Sequence, residues 1–173
     1  MRFKLGEIIV IILLAVVIFL LLQSTVQSFK VEGFSMEPSL HNRQYLVVNK
    51  AVYWFGDPQR GEVIVFRSLE NPDRDLIKRV IALPGETVEI KEGRVYIDGA
   101  PLEEPYILEE PDYIYPSRQV PDGYYFVLGD NRNSSSDSHV WGMLPRKHII
   151  GKAWLCYWPR SEWQLIPNYP YEQ

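Results

Sequence analysis

The sequence predicts a mainly β protein, antiparallel and sandwich-like or barrel-like, behind one N-terminal transmembrane helix. An unbroken apolar run covers residues 8–22, near the N-terminus. Beyond residue 28, short runs rich in β-branched and aromatic residues are separated by Gly, Pro, Asn and Asp. No stretch of ten or more residues there keeps the apolar period of a helix. We therefore expect an anchor over residues 1–28 and one β-rich domain over residues 29–173.

The N-terminal apolar segment is long enough to cross a membrane. Residues 5–26 would form a helix of about 33 Å at roughly 1.5 Å per residue, and a hydrocarbon core is about 30 Å thick. The alternative is a cleaved signal peptide, whose apolar region typically has about 7–15 residues. Residues 23–28 lack an Ala-x-Ala-like cleavage site, which favours an anchor. Arg2 and Lys4 precede the helix, so the positive-inside rule predicts a cytoplasmic N-terminus and an extracytoplasmic domain.

Seven β-rich runs, separated by turn residues, define the predicted strands. The sequence Lys91-Glu-Gly-Arg94 between two of them is typical of a hairpin turn in which Gly93 supplies a positive φ. The predicted strands cover residues 45–48, 62–66, 76–83, 87–90, 95–97, 124–128 and 148–158.

Composition and charge argue against several classes of function. The net charge is −4 and the Lys and Arg residues are scattered, whereas nucleic-acid binding needs a basic face. The single cysteine, Cys156, excludes an internal disulfide and a Cys-based metal cluster. It lies in the apolar run 153–158, where a buried and inert thiol is expected. The sequence implies no metal and no organic cofactor.

Lys78 lies inside an otherwise apolar predicted strand. It shares one face of that strand with Leu76 and Val80, whereas Arg79 lies on the opposite face. An ammonium buried among aliphatic side chains is costly unless it is paired or loses its proton. Because desolvation lowers the pKa of a lysine, a neutral Lys78 would serve as a general base. The alternative is an edge strand whose charges deter aggregation.

Ser35 follows the apolar helix closely, in the segment Gly33-Phe-Ser-Met-Glu-Pro-Ser-Leu40. Gly33 permits a close backbone approach, and Pro38 stiffens the chain that follows. A serine hydroxyl is a poor nucleophile without an adjacent base. A Gly-x-Ser-x-Gly elbow is absent because Glu37 stands at the second glycine position. This segment alone favours an ordinary turn serine.

A polar run, Gly129-Asp-Asn-Arg-Asn-Ser-Ser-Ser-Asp-Ser138, follows a predicted apolar strand. A calcium loop is disfavoured because Arg132 occupies a ligand position and the sixth position is not glycine. Asn133-Ser134-Ser135 matches a glycosylation acceptor, which is a weak pattern. A solvated turn explains the composition. The functional alternative is a cluster of hydroxyls and carboxylates that orients the charged residues of the Lys78 strand.

The three segments gain weight from their order behind an N-terminal apolar helix. Residues 35–40, 78–86 and 129–138 together resemble the motif boxes of the bacterial type I signal peptidase (leader peptidase) family. The resemblance extends from the anchor to about Trp158. It implies a membrane-bound serine endopeptidase that removes N-terminal signal peptides from exported precursor proteins.

The resemblance also assigns roles to single residues. Ser35 would attack the scissile carbonyl, and neutral Lys78 would take its proton and later donate one to the leaving amine. Ser135 resembles the family serine that hydrogen-bonds the catalytic lysine. Asp130 and Arg79 resemble a pair that braces the lysine strand. In the same way, Asp137 resembles the carboxylate that holds the polar loop in place.

The same resemblance implies how a precursor binds. It would lie extended between the segment that ends at Ser35 and the strand Asp75-Leu-Ile77, with main-chain hydrogen bonds supplied by β-addition. Small pockets would favour residues such as alanine at positions −1 and −3 of the precursor. The residues expected to bind substrate are Gly33, Met36, Leu40, Asp75, Leu76 and Ile77.

Three positions depart from the family pattern. Gly33 stands where some members have a hydroxyl residue that joins the oxyanion hole, which leaves the Ser35 N–H as the one donor that can be named. Ala82 replaces a glycine, a small change in packing. His139 stands where many relatives have arginine, so an ion pair with Asp137 would depend on pH.

The expected partners are signal-peptide-bearing precursors and the lipid bilayer. The expected location is the plasma membrane, or the thylakoid membrane in a photosynthetic source. Four aromatic residues are expected either at the lipid interface or in the core, namely Tyr53, Trp54, Phe55 and Trp141.

Two other functions remain open from the sequence. One is a related Ser–Lys peptidase with narrow substrates, or one similar to the self-cleaving repressors, which the anchor disfavours. The other is a catalytically silent anchored β domain that binds peptides. The presence of Ser35, Lys78 and Ser135 together argues against the silent domain.

Overall fold

The computed structural model describes residues 5–169, which contain two α-helices and twelve strands. Arg2 and Lys4, on which the predicted orientation in the membrane depends, lie outside the described residues. The helices are α1 (Leu5–Thr25) and α2 (Ser138–Trp141). The strands are β1 (Val26–Lys30), β2 (Tyr45–Asn49), β3 (Val63–Arg67), β4 (Asp75–Ala82), β5 (Thr87–Lys91), β6 (Arg94–Ile97), β7 (Ala100–Pro101), β8 (Tyr115–Gln119), β9 (Tyr124–Leu128), β10 (Leu144–Pro145), β11 (Ile149–Trp158) and β12 (Gln164–Leu165).

The strands form two antiparallel sheets, which confirms the mainly β fold class. The larger sheet is curled and has the order β1-β2-β11-β3-β4-β9-β10, with β12 paired to β11. The smaller sheet has the order β7-β6-β5-β8. The predicted hairpin joins β5 to β6, and both of its turn residues have positive φ, at 50° for Glu92 and 73° for Gly93. Positive φ at both positions is typical of the turn that matches the twist of a hairpin.

Helix α1 is apolar and stands apart from the β domain. Its segment Gly6–Thr25 has the length and hydropathy needed to cross a membrane, and none of the segment is buried inside the protein. Transfer of apolar surface out of water is favourable by about 25 cal/mol per Å². An apolar helix exposed in this way is consistent with membrane anchoring.

The end of α1 continues into the sheet without a linker. The helix ends at Thr25 and β1 begins at Val26, within the residues that the sequence analysis assigned to the anchor. The backbone N–H of Lys50 donates to the carbonyl of Thr25 at 2.8 Å, and Lys50 Nζ donates to the carbonyl of Gln23 at 3.2 Å. These contacts tie the end of the helix to the turn after β2.

Of the described strands longer than two residues, β1 and β8 were not predicted from the sequence. Both lie at the edge of a sheet, and most of their side chains are exposed or half-buried. An edge strand with a polar outer face lacks the apolar alternation by which a half-buried strand is recognised.

The larger sheet buries an apolar cluster that reaches the loop between β1 and β2. Met36 and Leu40 from that loop pack with Leu46 of β2, Ile77 of β4 and Cys156 of β11. The thiol of Cys156 is buried, as the sequence predicted. Because its two apolar side chains are part of the core, the loop that carries Ser35 is fixed to the sheet.

Candidate active site

The loop between β1 and β2 carries Ser35 beside two residues whose side chains are buried in the core, Met36 and Leu40. Gly33 has a φ of 93°, a conformation that favours glycine, and its N–H donates to Asn42 Oδ1 at 3.1 Å. The backbone N–H of Leu40 donates to the carbonyl of Met36 at 2.8 Å. Within the described chain, the N–H of Ser35 has no hydrogen-bond acceptor. That N–H is therefore available to a bound oxygen.

Lys78 lies in the middle of β4 and is only 3% exposed. Its Nζ lies 2.7 Å from Ser35 Oγ and donates to the carbonyl of Ile77 at 2.9 Å. Burial lowers the pKa of Lys78 to about 8, although the negative charges of Asp137 and Asp130 raise it and the charge of Arg74 lowers it further. About a tenth of the amine is therefore neutral at pH 7, and a general base must be in this neutral form.

Arg79, on the opposite face of β4, has a full set of partners. Its guanidinium donates to both carboxylate oxygens of Asp130, at 2.8 and 2.6 Å, and neither side chain is exposed. It also donates to the carbonyl of Gly61 at 2.8 Å and lies 4.2 Å from the centre of the Tyr106 ring. The structure thus brings together the pair that was expected to brace the lysine strand.

The polar loop after β9 packs directly on the Ser35 segment. The backbone N–H of Asn131 donates to the carbonyl of Ser35 at 3.1 Å, and Asn131 Nδ2 donates to the carbonyl of Phe34 at 3.2 Å. A Cβ atom on Gly129 would collide with the carbonyl oxygen of Ser35 and with Ser135 Oγ. A side chain at position 129 is therefore excluded by this close approach.

Ser135 does not make the contact that was expected of it. Its Oγ is buried, and among the described residues it has no hydrogen-bond partner. Lys78 Nζ bonds to Ser35 and to Ile77 instead. Ser135 nevertheless lies against Gly129, whose position abuts the carbonyl of Ser35. Ser135 therefore lies near Ser35 and Lys78 but, within the described residues, makes no hydrogen bond to Lys78.

Asp137 holds the polar loop through its buried carboxylate. It caps the N-terminus of α2, and its Oδ2 accepts a hydrogen bond from the N–H of Gly129 at 2.9 Å. Its Oδ1 accepts from the N–H of His139 at 3.3 Å and lies 2.7 Å from His139 Nδ1. The contact with His139 that the sequence suggested is therefore present.

A groove of about 640 Å³ leads to Ser35 and Lys78. One wall is β1, which among residues 5–169 pairs only with β2, and the other is the start of β4, where pairing with β9 begins at Arg79. At both walls, backbone N–H and C=O groups are therefore available to pair with an additional strand that enters the groove. The residues lining the groove are 27–30, 32–35, 73–78, Ser68, Glu70, Asn71, Ser134 and Ser136.

The expected substrate-binding residues divide into two groups. Gly33, Asp75, Leu76 and Ile77 line the groove. Met36 and Leu40 do not line it, because their side chains are buried in the core with 1% and 0% exposure. The sequence analysis placed the substrate between the segment that ends at Ser35 and residues 75–77, but it assigned no strand to residues 26–30 and no role to Phe34 or Asn131. These roles depend on the path of the chain and carry no motif of their own.

The described residues 5–169 contain no group of three or more His, Cys, Asp or Glu side chains placed to hold a metal ion. The chemistry available at the site is that of a serine hydroxyl beside a partly neutral amine, at the end of a groove with two strand edges.

The family model described as signal peptidase, peptidase S26 matches residues 3–158. The chain belongs to this family. The resemblance drawn from the three segments is therefore confirmed, and so is the predicted class of enzyme, a signal peptidase.

Similar proteins come from cyanobacteria, plants and other bacteria. Probable signal peptidase I-1 of Synechocystis sp. is 51% identical over 144 residues, covering 79% of this chain and 74% of the relative. Thylakoidal processing peptidase 1, chloroplastic, of Arabidopsis thaliana is 35% identical over 86% of this chain, which spans about half (47%) of that relative. A solved signal peptidase I of Enterococcus faecalis has a TM-score of 0.52 and 36% identity, covering 56% of this chain and 97% of that structure.

In this family member the buried Arg79–Asp130 pair is expected to be essential for stability. Arg79→Met leaves a buried carboxylate without its partner, which costs about 3–5 kcal/mol. Lys30→Met is the matched control, because it breaks the exposed Lys30–Glu32 pair, and such pairs contribute about 0–1 kcal/mol. Denaturant unfolding of the detergent-solubilised chain, followed by tryptophan fluorescence, measures both changes. Equal stability of the two variants would contradict this role.

Proposed function

We propose that the chain is a membrane-bound serine endopeptidase that removes N-terminal signal peptides from precursor proteins, with Ser35 as nucleophile and Lys78 as general base. The observation that carries the proposal is the 2.7 Å separation of Lys78 Nζ and Ser35 Oγ at the end of the groove. At this distance a proton can pass from the hydroxyl to a neutral amine. The lowered pKa of Lys78, caused chiefly by its burial, supplies the neutral amine.

The reaction follows from these two groups. Ser35 Oγ attacks the scissile carbonyl as Lys78 Nζ takes its proton, and the Lys78 ammonium then protonates the departing amine. The resulting ester is hydrolysed by a water molecule from which neutral Lys78 removes a proton, and Ser35 regains its hydrogen. The Ser35 N–H, which has no acceptor in the described chain, is the proposed donor to the carbonyl oxygen as it becomes negative.

The groove supports binding of an extended peptide. A precursor segment entering between β1 and the start of β4 would add a strand to both edges. Leu76, Ile77 and Phe34 supply apolar surface within the groove. The preference for small residues at positions −1 and −3 is carried over from the family resemblance. Met36 and Leu40 are not part of this proposal, because they are buried in the core.

We propose that the enzyme lies in a membrane that α1 crosses once. Its N-terminus would be cytoplasmic, and residues 29–173 would form the extracytoplasmic catalytic domain. Trp54 and Phe55, which are 53% and 97% exposed, follow the turn that is hydrogen-bonded to the end of α1. We assign them to the lipid interface. Tyr53 and Trp141 pack in the core instead. The candidate membranes are the plasma membrane, which the family resemblance implies, and the thylakoid membrane, which the name of one relative suggests.

Loss of either member of the pair is expected to abolish cleavage. Ser35→Ala removes the nucleophile, and Lys78→Met removes the base from a side chain of similar length, for a loss of about 10²–10⁴-fold or more in kcat. Gel-based cleavage of a purified secretory precursor with alanine at −1 and −3 measures the effect. Ser117→Ala and Lys147→Met, at exposed positions outside the groove, are the matched controls. Full activity of Ser35→Ala would refute the mechanism.

Activity is expected to rise with pH as Lys78 loses its proton. With a pKa of about 8, the neutral fraction grows from about a tenth at pH 7 to about nine tenths at pH 9. The acidic limb of single-turnover cleavage should therefore have its midpoint near pH 8. Activity is lost below that pH because the ammonium cannot accept the Ser35 proton. A midpoint close to 10.5, the ordinary value for lysine, would show that Lys78 is not desolvated.

A further inference from the structure

The chain continues beyond β11 into a segment that returns to β4. The family match ends at residue 158, and residues 163–169, which we call the C-terminal strap, lie beyond it. Strand β12 of the strap pairs with β11, and the N–H of Ile166 donates to the carbonyl of Trp154 at 2.9 Å. The Ile166 side chain is 4% exposed and belongs to the apolar cluster that contains Ile77 of β4. Hydrogen bonds and apolar packing therefore both join the strap to the larger sheet.

The end of the C-terminal strap covers the guanidinium of Arg79. The carbonyl of Pro167 accepts a hydrogen bond from Arg79 Nη1 at 3.2 Å, and the centre of the Tyr169 ring lies 5.2 Å from Arg79 Cζ. The Tyr106 ring lies at 4.2 Å from the same atom, and the centres of the two rings are 5.0 Å apart. An aromatic face attracts a cation most strongly where water is excluded. Arg79 is 0% exposed, so the strap is one of the groups that keep it from water.

The backbone of Tyr169 packs closely on the turn that precedes β3. Gly61 in that turn has a φ of 83°, and a Cβ atom at this position would collide with the carbonyl group of Tyr169. The N–H of Gly61 donates to the carbonyl of Val80 at 2.9 Å, and its carbonyl accepts from Arg79 at 2.8 Å. The strap therefore presses on a turn that is hydrogen-bonded to two adjacent residues of β4.

Arg79 connects the C-terminal strap to the three segments that carry the motifs. It follows Lys78 in β4, and its guanidinium donates to both oxygens of Asp130 in the polar loop. Its Nη2 lies 3.4 Å from Ser39 Oγ, in the loop that carries Ser35. A displacement of the Arg79 side chain would therefore be felt in the lysine strand, in the polar loop and in the loop of the nucleophile.

The C-terminal strap lies outside the groove. Among the described residues that line the groove, none belongs to residues 163–169. A precursor can therefore bind without touching the strap. Proton transfer depends instead on the 2.7 Å separation of Lys78 Nζ and Ser35 Oγ, and a misplacement of about 1 Å can cost about 10²-fold in rate. A loosened strap should therefore lower kcat and leave KM unchanged.

We propose that the C-terminal strap is a positioning element for the Ser35–Lys78 pair, and that the Tyr169 ring holds Arg79, and with it β4, in the geometry that the reaction needs. This inference rests on the proposed function, because it assigns a role in the same reaction. Tyr169 does not touch the reacting atoms. Its influence passes through Arg79 to the lysine strand and to the loop that carries Ser35.

Substitutions at position 169 test the role of the ring in the full-length protein. Tyr169→Leu and Tyr169→Met keep apolar volume but remove the ring, and each should lower kcat about tenfold or more with KM unchanged. Tyr169→Phe keeps the ring and should restore kcat. Asn168→Ala, at the exposed neighbouring position, is the matched control. Steady-state cleavage of a purified precursor in detergent measures both constants, and circular dichroism checks that each variant is folded. Wild-type kcat in a folded Leu or Met variant would overturn the proposal.

Hydrogen–deuterium exchange separates positioning from a general loss of stability. Without the Tyr169 ring, the backbone amides of β4 should exchange about threefold faster or more, whereas those of the β5–β6 hairpin in the smaller sheet should keep their wild-type rates. An equal increase in both sheets, or no increase in β4, would contradict the proposal. Ser35→Ala, assayed in parallel, reports on the proposed function itself. Loss of cleavage in Ser35→Ala together with wild-type kcat in Tyr169→Leu would refute this inference alone, whereas full activity of Ser35→Ala would refute the proposed function.

Discussion

Removal of the Lys78 amine from water is the constraint on which the rest of the site depends. An ammonium in an apolar strand is costly, and the protein reduces that cost by letting the group lose its proton at a pH near 8 instead of near 10.5. The same burial places the amine 2.7 Å from Ser35 Oγ. The lowered pKa and the contact with Ser35 both depend on one position in β4. A shift of the strand by one residue would therefore remove both.

The contrast with Arg79 explains how a single strand can carry both the proposed base and a buried, paired cation. Adjacent residues of a strand point to opposite faces, so Lys78 and Arg79 enter different environments. Arg79 meets a carboxylate and stays paired, with both side chains fully buried. Lys78 meets a hydroxyl and a carbonyl, neither of which carries a full charge. Within the described part of the chain, Arg79 is paired with a carboxylate and Lys78 is not, so the Lys78 amine is available for the proposed proton exchange.

Much of the fold could be predicted from the sequence because most strands carry a clear apolar pattern. The β5–β6 hairpin followed from turn residues that accept positive φ. The edge strand β1 could not be predicted, because its polar residues resemble the end of an anchor. The prediction placed the segment that ends at Ser35 beside the substrate, but it did not identify the strand edge of β1 that forms this wall of the groove.

The site was predictable only where motifs combined. Taken alone, Ser35 was more simply explained as a turn serine, and Lys78 as a charge in an edge strand. The order of the three motifs along the chain made the Ser35–Lys78 pair recognisable. Met36 and Leu40 were misplaced because neighbours of a nucleophile in a turn need not share its face, and apolar side chains there were taken up by the core. The hydrogen bond expected of Ser135 depends on a side-chain geometry that no sequence pattern specifies.

The titration of Lys78 itself tests the central claim most directly. Full-length protein labelled with nitrogen-15 at the lysine side chains can be studied in detergent micelles, with Lys78→Met used to assign the signal. The account predicts that the Lys78 nitrogen titrates at about pH 8, well below the exposed lysines. Titration near 10.5, together with the other lysines, would contradict the account, because it would leave Ser35 without a base at neutral pH.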